Sequence, residues 1–168
     1  MKKIGIFYSF NSNKTAKAAE KIVEAFGKVN IEPMNVEVVK DEDFLKFENI
    51  IVGVPTWFDG ELPNHWDELV PSIEELDLKG KRVAIFGLGD QKGYPENFND
   101  GVGIFSDLMS KCGAEIVGYT STEGYTYEHS VAERNQQFCG LCLDQENQAR
   151  LTKGRIDHWI EQLKNEFY

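Results

Sequence analysis

Hydroxyl and amide side chains crowd one short stretch, Ser9-Phe10-Asn11-Ser12-Asn13-Lys14-Thr15, in which Lys14 is the one full charge. The apolar run Ile4 to Tyr8 precedes it and suits a buried parallel strand. After it, Ala19, Ile22, Val23 and Phe26 recur at i, i+3, i+4 and i+7, the stripe of an amphipathic helix. The polar stretch is therefore a strand-to-helix turn, where the first helical N–H groups lack partners within the helix. Amides so placed, backed by the helix dipole, can hold a phosphate with little formal positive charge. In other α/β proteins a similar turn only caps its helix.

Further along, Asn35 to Val39 reads as a short strand, and Asn49 to Val54 and Arg82 to Leu88 as buried ones. Asn64 to Leu76 is helical, with Pro71 expected to restart the helix because it cannot donate to the previous turn. Asp100 to Cys112 carries Ile104, Phe105, Leu108, Met109 and Cys112 on one face, and Gly113 ends it. Ile116 to Thr120 is a further strand, and Thr152 to Phe167 a last helix with Trp159 and Leu163 inward. Apolar strands alternating with amphipathic helices imply one α/β domain over residues 1–168, a parallel sheet covered on both faces. One segment, Ser121 to Gln137, is polar and without period; it reads as an excursion inserted into the last strand, which resumes at Phe138.

Sheets of this kind bind ligands beyond the carboxyl ends of their strands. Three loops lie there: Ser9 to Thr15, Pro55 to Leu62, and Gly89 to Phe98. The first is not a P-loop, since GxxxxGK[ST] is absent, and Gly87-Leu88-Gly89 is too late and misspaced for a dinucleotide fingerprint. Nor do Ser9-Phe10 and Pro55-Thr56 supply the acids of a phospho-acceptor site. Trp57 in the second loop and Tyr94 in the third can form two walls around a flat ring. A flat ring joined to a phosphate by a ribityl-length linker describes FMN.

The formal charge of −10 excludes the basic footprint that nucleic acid requires. No apolar run approaches the roughly 20 residues that span a bilayer, and no signal peptide is discernible, so a cytoplasmic address is expected. Cys112, Cys139 and Cys142 fit a reducing compartment. Cys139 and Cys142 lie in the strand-like run Phe138 to Leu143, which would send i and i+3 to opposite faces and preclude a shared metal. His65, His129 and His158 fall away from the three loops, and no catalytic or metal constellation can be assembled.

With KIGIFY and its loop, PTWFDGEL, GLGDQKGYPENF and the tail from GYTSTEGY to RIDHWIEQLKNEF, the chain resembles the long-chain flavodoxins over nearly its whole length. The resemblance implies a doubly wound five-stranded sheet of order 2-1-3-4-5 with the insertion in the fifth strand. It implies an electron carrier, not an enzyme, whose non-covalent FMN cycles between semiquinone and hydroquinone. Trp57 and Tyr94 would flank the isoalloxazine, and Asp90 with the Leu88–Gly89 backbone would meet the pyrimidine edge. Thr56 and Asn11, Ser12, Asn13, Lys14 and Thr15 would hold the ribityl phosphate. Ser9, Phe10, Pro55, Phe58, Asp59, Gly60, Asn97 and Phe98 complete the expected cofactor-binding set. At Phe58 the family's carbonyl turns toward flavin N5, and a bulky residue lacks glycine's freedom to flip. Partners would be reductases and low-potential oxidoreductases docking by basic faces on a monomer. The family's T-x-T-G-x-T is altered here: Phe10 stands where a hydroxyl binds phosphate, a loss of about 1.5–3 kcal/mol at most. An FMN-dependent NAD(P)H/quinone oxidoreductase and a non-flavin binding module are the competing readings.

Overall fold

Strand β1 (Ile4–Tyr8) is buried along its whole length because it lies between two neighbours. The computed structural model describes residues 1–57 and 59–168. On one side of β1 is β2 (Ile31–Asn35); on the other are β3 (Asn49–Gly53), β4 (Arg82–Leu88) and β5 (Glu115–Val117), giving the order β2-β1-β3-β4-β5. All these pairings are parallel, as a doubly wound sheet requires.

The pleat sorts the core into two layers. Phe7, Ile50 and Val52 face one side, against Trp66 and Ile73 of α2 (Asn64–Glu74) and Phe105 and Met109 of α3 (Asp100–Lys111). Ile4, Ile6 and Ile51 face the other, against Ile22 and Phe26 of α1 (Asn13–Phe26) and Trp159 and Leu163 of α5 (Thr152–Glu166).

The second strand, α2 and the fifth strand, expected over Ile116 to Thr120 but ending at Val117, differ from the sequence reading. The second strand is Ile31–Asn35, paired Ile4 to Ile31, whereas 36–39 form a turn whose Val38 is exposed. This strand contains Pro33, which an edge strand tolerates because one side of it has no ladder to complete. Helix α2 runs through Pro71 without restarting; Asp67 and Pro71 are exposed, so water can meet the Asp67 carbonyl that Pro71 cannot reach.

The fifth sheet position is filled twice. β5 pairs with residues 82–84 of β4, and β9 (Leu141–Leu143) pairs with residues 86–88. Between the halves the chain leaves the sheet and builds a small antiparallel sheet from β6 (Thr120–Ser121), β7 (Glu133–Arg134) and β8 (Gln137–Phe138), ordered β6-β8-β7. The insertion in the last strand is thus present, but the main sheet resumes at Leu141, not Phe138. Cys139 precedes β9, and its thiol enters the same core layer as Cys142. The opposite-faces argument fails because residues 138–143 are not one strand. Both thiols are free and pushed up by burial. Among the described residues no His, Cys, Asp and Glu group could hold a metal, and no helix is long and apolar enough to cross a membrane.

Candidate functional site

The carboxyl ends of β1, β3 and β4 open into one cleft of about 390 Å³. Its first wall is the turn into α1. The Phe10 amide donates to Asn35 Oδ1, the Asn11 amide to Ser9 Oγ and the Ser12 amide to the Ser9 carbonyl. The next three amides, of Asn13, Lys14 and Thr15, find no acceptor among the described residues. No acidic side chain occupies that first helical turn, and Ser12 does not cap it. The run of open amides is therefore narrower than the expected nest of residues 11–15: it begins at Asn13.

The turn is braced from behind. Ser9 Oγ and Asn11 Nδ2 both donate to Glu37, at 2.8 and 2.5 Å, just past β2. These bonds hold the Glu37 carboxyl below the usual carboxylate range, Ser9 contributing most. Ser9 and Asn11 thus position the nest and do not line the cleft. Phe10 is exposed, tilted against Tyr8 at 5.0 Å, and also outside the cleft.

Trp57 and Tyr94, 42% and 45% exposed, present large ring surfaces to the cleft. Trp57 is held by reciprocal backbone bonds with Glu61, both 2.8 Å. The loop between them needs Gly60, at φ +93°, where a Cβ would also press Asp100 Oδ2 at 2.7 Å. His65 contradicts the expectation that it lies away from the loops. Its ring meets Trp57 edge-on at 6.4 Å, burial lowers its pKa, and its buried Nε2 has no partner among the described residues.

Thr56 Oγ1 accepts the Gly101 amide at 2.9 Å, which caps α3 and leaves the hydroxyl proton free to donate into the cleft. Asn97 is oriented by Asp100, whose other oxygen accepts the Val131 amide from the excursion.

The third loop is stitched to the protein. Asp90 accepts from the amides of Gly93 (2.8 Å) and Lys92 and from Asn147 Nδ2 (2.8 Å). The Gly93 bond, then Asn147, keeps its carboxyl below the usual range. The Gly89 amide is bonded to Leu143, whereas the Asp90 amide has no acceptor among the described residues. Buried Gln91 donates to Asp144 at 2.7 Å and accepts from the Thr126 amide at 2.6 Å, tying this loop to the excursion.

A family model described as Flavodoxin matches residues 6–159. The chain belongs to the flavodoxin family. A flavodoxin of Nostoc sp. is 43% identical over 166 residues, covering 99% of this chain and 98% of that one. A Trichodesmium erythraeum flavodoxin is 45% identical over 171 residues, covering 99% of each. The crystal structure of Fusobacterium nucleatum flavodoxin bound to flavin mononucleotide matches at 39% identity with a TM-score of 0.94, over 100% of both chains.

Of the residues that the flavodoxin resemblance nominated, the cleft gathers Ser12, Asn13, Lys14 and Thr15 from the first loop and Pro55, Thr56 and Trp57 from the second. From the third come Leu88, Gly89, Asp90, Tyr94 and Asn97. Phe98 is a correction: it is fully buried and stacked on Tyr127 at 5.2 Å, in the core. Asp59 and Gly60 do not line the cleft, and Phe58 lies outside the described residues. Gln145 and Glu146, at the start of the short helix α4 (Gln145–Gln148), do line it and were missed. Glu146 pairs with Lys14 across the opening. The signal was available: the loop after β9 is also a strand's carboxyl end, but the split strand disguised it.

Proposed function

We propose that residues 1–168 act as one FMN-binding domain of a cytoplasmic, low-potential electron carrier serving a reductase and redox enzymes. One observation carries the reading: a single cleft joins the open amides of Asn13, Lys14 and Thr15 to the exposed rings of Trp57 and Tyr94. Helix-start amides suit a phosphate, and apolar ring faces suit a flat heterocycle. As a flavodoxin the chain is an FMN electron-transfer protein, not an enzyme, and the F. nucleatum relative was solved with that cofactor.

When bound, FMN supplies reversible one-electron chemistry. The chain's own groups do the rest. Asn13, Lys14 and Thr15 amides hold the phosphate, and the Thr56 hydroxyl donates to the ribityl phosphate. Trp57 and Tyr94 keep water from the ring faces, and the Asp90 amide donates to the pyrimidine edge. A net charge of −10 disfavours added electrons, so reduction lies at low potential. The acidic surface suits basic docking faces, with contacts that weaken as salt rises, on a monomeric carrier.

The test is to titrate apoprotein with FMN, follow quenching of flavin fluorescence, and then reduce stepwise with dithionite. Stoichiometric quenching and two separated one-electron steps are expected. Undiminished fluorescence at equimolar FMN would refute the cofactor assignment; steady NAD(P)H oxidation with quinone turnover would refute the carrier assignment.

A further inference from the structure

A second hollow, of about 420 Å³, lies between the excursion, β9 and the first turns of α5, and shares no lining residue with the FMN cleft. Its apolar lining comes from Leu141, Leu151, Tyr125 and Trp159. Arg150, Arg155 and His158 line it too, against one carboxylate, Glu123. In a chain with 28 acidic and 18 basic residues, that local balance is reversed.

The two arginines lack counter-charges. Neither Arg150 nor Arg155 makes an ion pair among the described residues. The Arg155 guanidinium lies 4.1 Å over the Tyr125 ring, and one of its Nη atoms is shut from water with no hydrogen-bond acceptor. A desolvated cationic donor left unmatched is costly, and native structures rarely leave one without a reason.

Gly154 adds an independent observation. It lines the same hollow in the first turn of α5, where glycine is a poor helix former. Its φ is not positive, and a Cβ built on it would meet nothing within 4 Å. Neither the backbone nor packing within the chain requires glycine there. Its remaining physical use is to let something approach the helix backbone closely.

We propose that this hollow binds a small aromatic carboxylate. Its charge pairs with Arg150 and Arg155, and its ring lies on the apolar floor beside Tyr125 and Trp159. Arginine suits a planar carboxylate, and the apolar lining selects a ring over a simple inorganic anion.

The test uses the full chain with FMN in excess and 2-naphthoate as probe, followed by calorimetry and by NMR of His158 and the Trp159 indole. Saturable binding with a Kd on the order of 0.1–1 mM is expected, with neutral 2-naphthamide bound at least about tenfold more weakly. Arg150→Met and Arg155→Met should each weaken naphthoate about tenfold, the size of one lost charge-assisted contact. Gly154→Leu should block it while leaving the helix circular dichroism and the thermal midpoint in place. Absence of saturation at about 10 mM would overturn the proposal. Naphthoate binding undiminished from that of the unaltered chain in both arginine variants, or resonance shifts at Trp57 and Tyr94 in place of His158 and Trp159, would overturn it as well.

Discussion

Loop 9–15 reaches the cleft with three main-chain donors unspent, whereas loop 89–98 has committed most of its polar groups to the protein itself. Both follow interior strands of the same sheet, so topology does not explain the contrast. Each loop is rigid for a different reason. Glu37 braces the first from outside, by accepting from Ser9 and Asn11, and so leaves the helix start bare. Asp90, Gln91 and Asp144 lock the third from within, leaving a shaped wall whose open amide at the cleft is that of Asp90. Under the proposed cofactor assignment, the difference would give affinity to the first loop and orientation to the third: unsatisfied amides gain most from a charged ligand, whereas satisfied ones only exclude and align.

The largest test of that contrast is Asn13→Pro. Position 13 opens α1, where proline fits and removes only the N–H. FMN affinity should fall about 10- to 100-fold, as one hydrogen bond to a charged group predicts, with the thermal midpoint of the apoprotein unchanged. Equal affinity would mean that the nest does not hold the phosphate.

Asp90→Ala should be milder for the ligand and harsher for the fold. It removes three acceptor contacts within the protein and should lower apoprotein stability by about 1 kcal/mol, with a several-fold loss of FMN affinity. A loss of affinity as large as that of Asn13→Pro would erase the division of labour between the loops.

Acid should loosen both loops. Asp90 and Glu37 have lowered pKa values in the folded protein, so their contribution is present above the ordinary carboxylate range. It is lost as pH falls through the depressed values, below about pH 4. FMN release followed by fluorescence should therefore rise in that window, and Glu37→Gln should move its onset. A release midpoint above the carboxylate window but below the ordinary histidine range would implicate His65 instead, whose pKa burial lowers.

The smallest effect belongs to Phe10→Thr. The altered motif predicts tighter FMN, yet the Phe10 ring packs on Tyr8 outside the cleft, so a gain of no more than about threefold is expected, less than one full hydrogen bond is worth. A tenfold gain would show that a hydroxyl here reaches the phosphate and that the three amides do not suffice.

Much of the site was legible because its parts are local. Ile4 to Thr15 announces a strand, a turn and a helix start by hydrophobic period alone, and unpaired amides at a helix start follow from helix geometry. Trp57 and Tyr94 were legible as rings on loops at strand ends. Which amides stay open was not, because the answer depends on Asn35 and Glu37, acceptors about 25 residues away. Phe98 looked like part of the third loop, but Tyr127 and Phe138 of the excursion bury it. Gln145 and Glu146 were hidden because the strand leading to them is only three residues long and follows a detour.

Hydrophobic period and turn chemistry were enough to expect alternating strands and helices and three ligand loops, composition gave the acidic character, and the family resemblance gave the cofactor. Tertiary contact decided the splitting of the fifth strand, the shared burial of Cys139 and Cys142, the narrowing of the nest to Asn13–Thr15 and the fourth wall at α4. The first group depends on neighbours in the chain, which sequence lists in order. The second depends on which distant groups arrive to satisfy a donor or cover a ring, and only the packed chain brings those together.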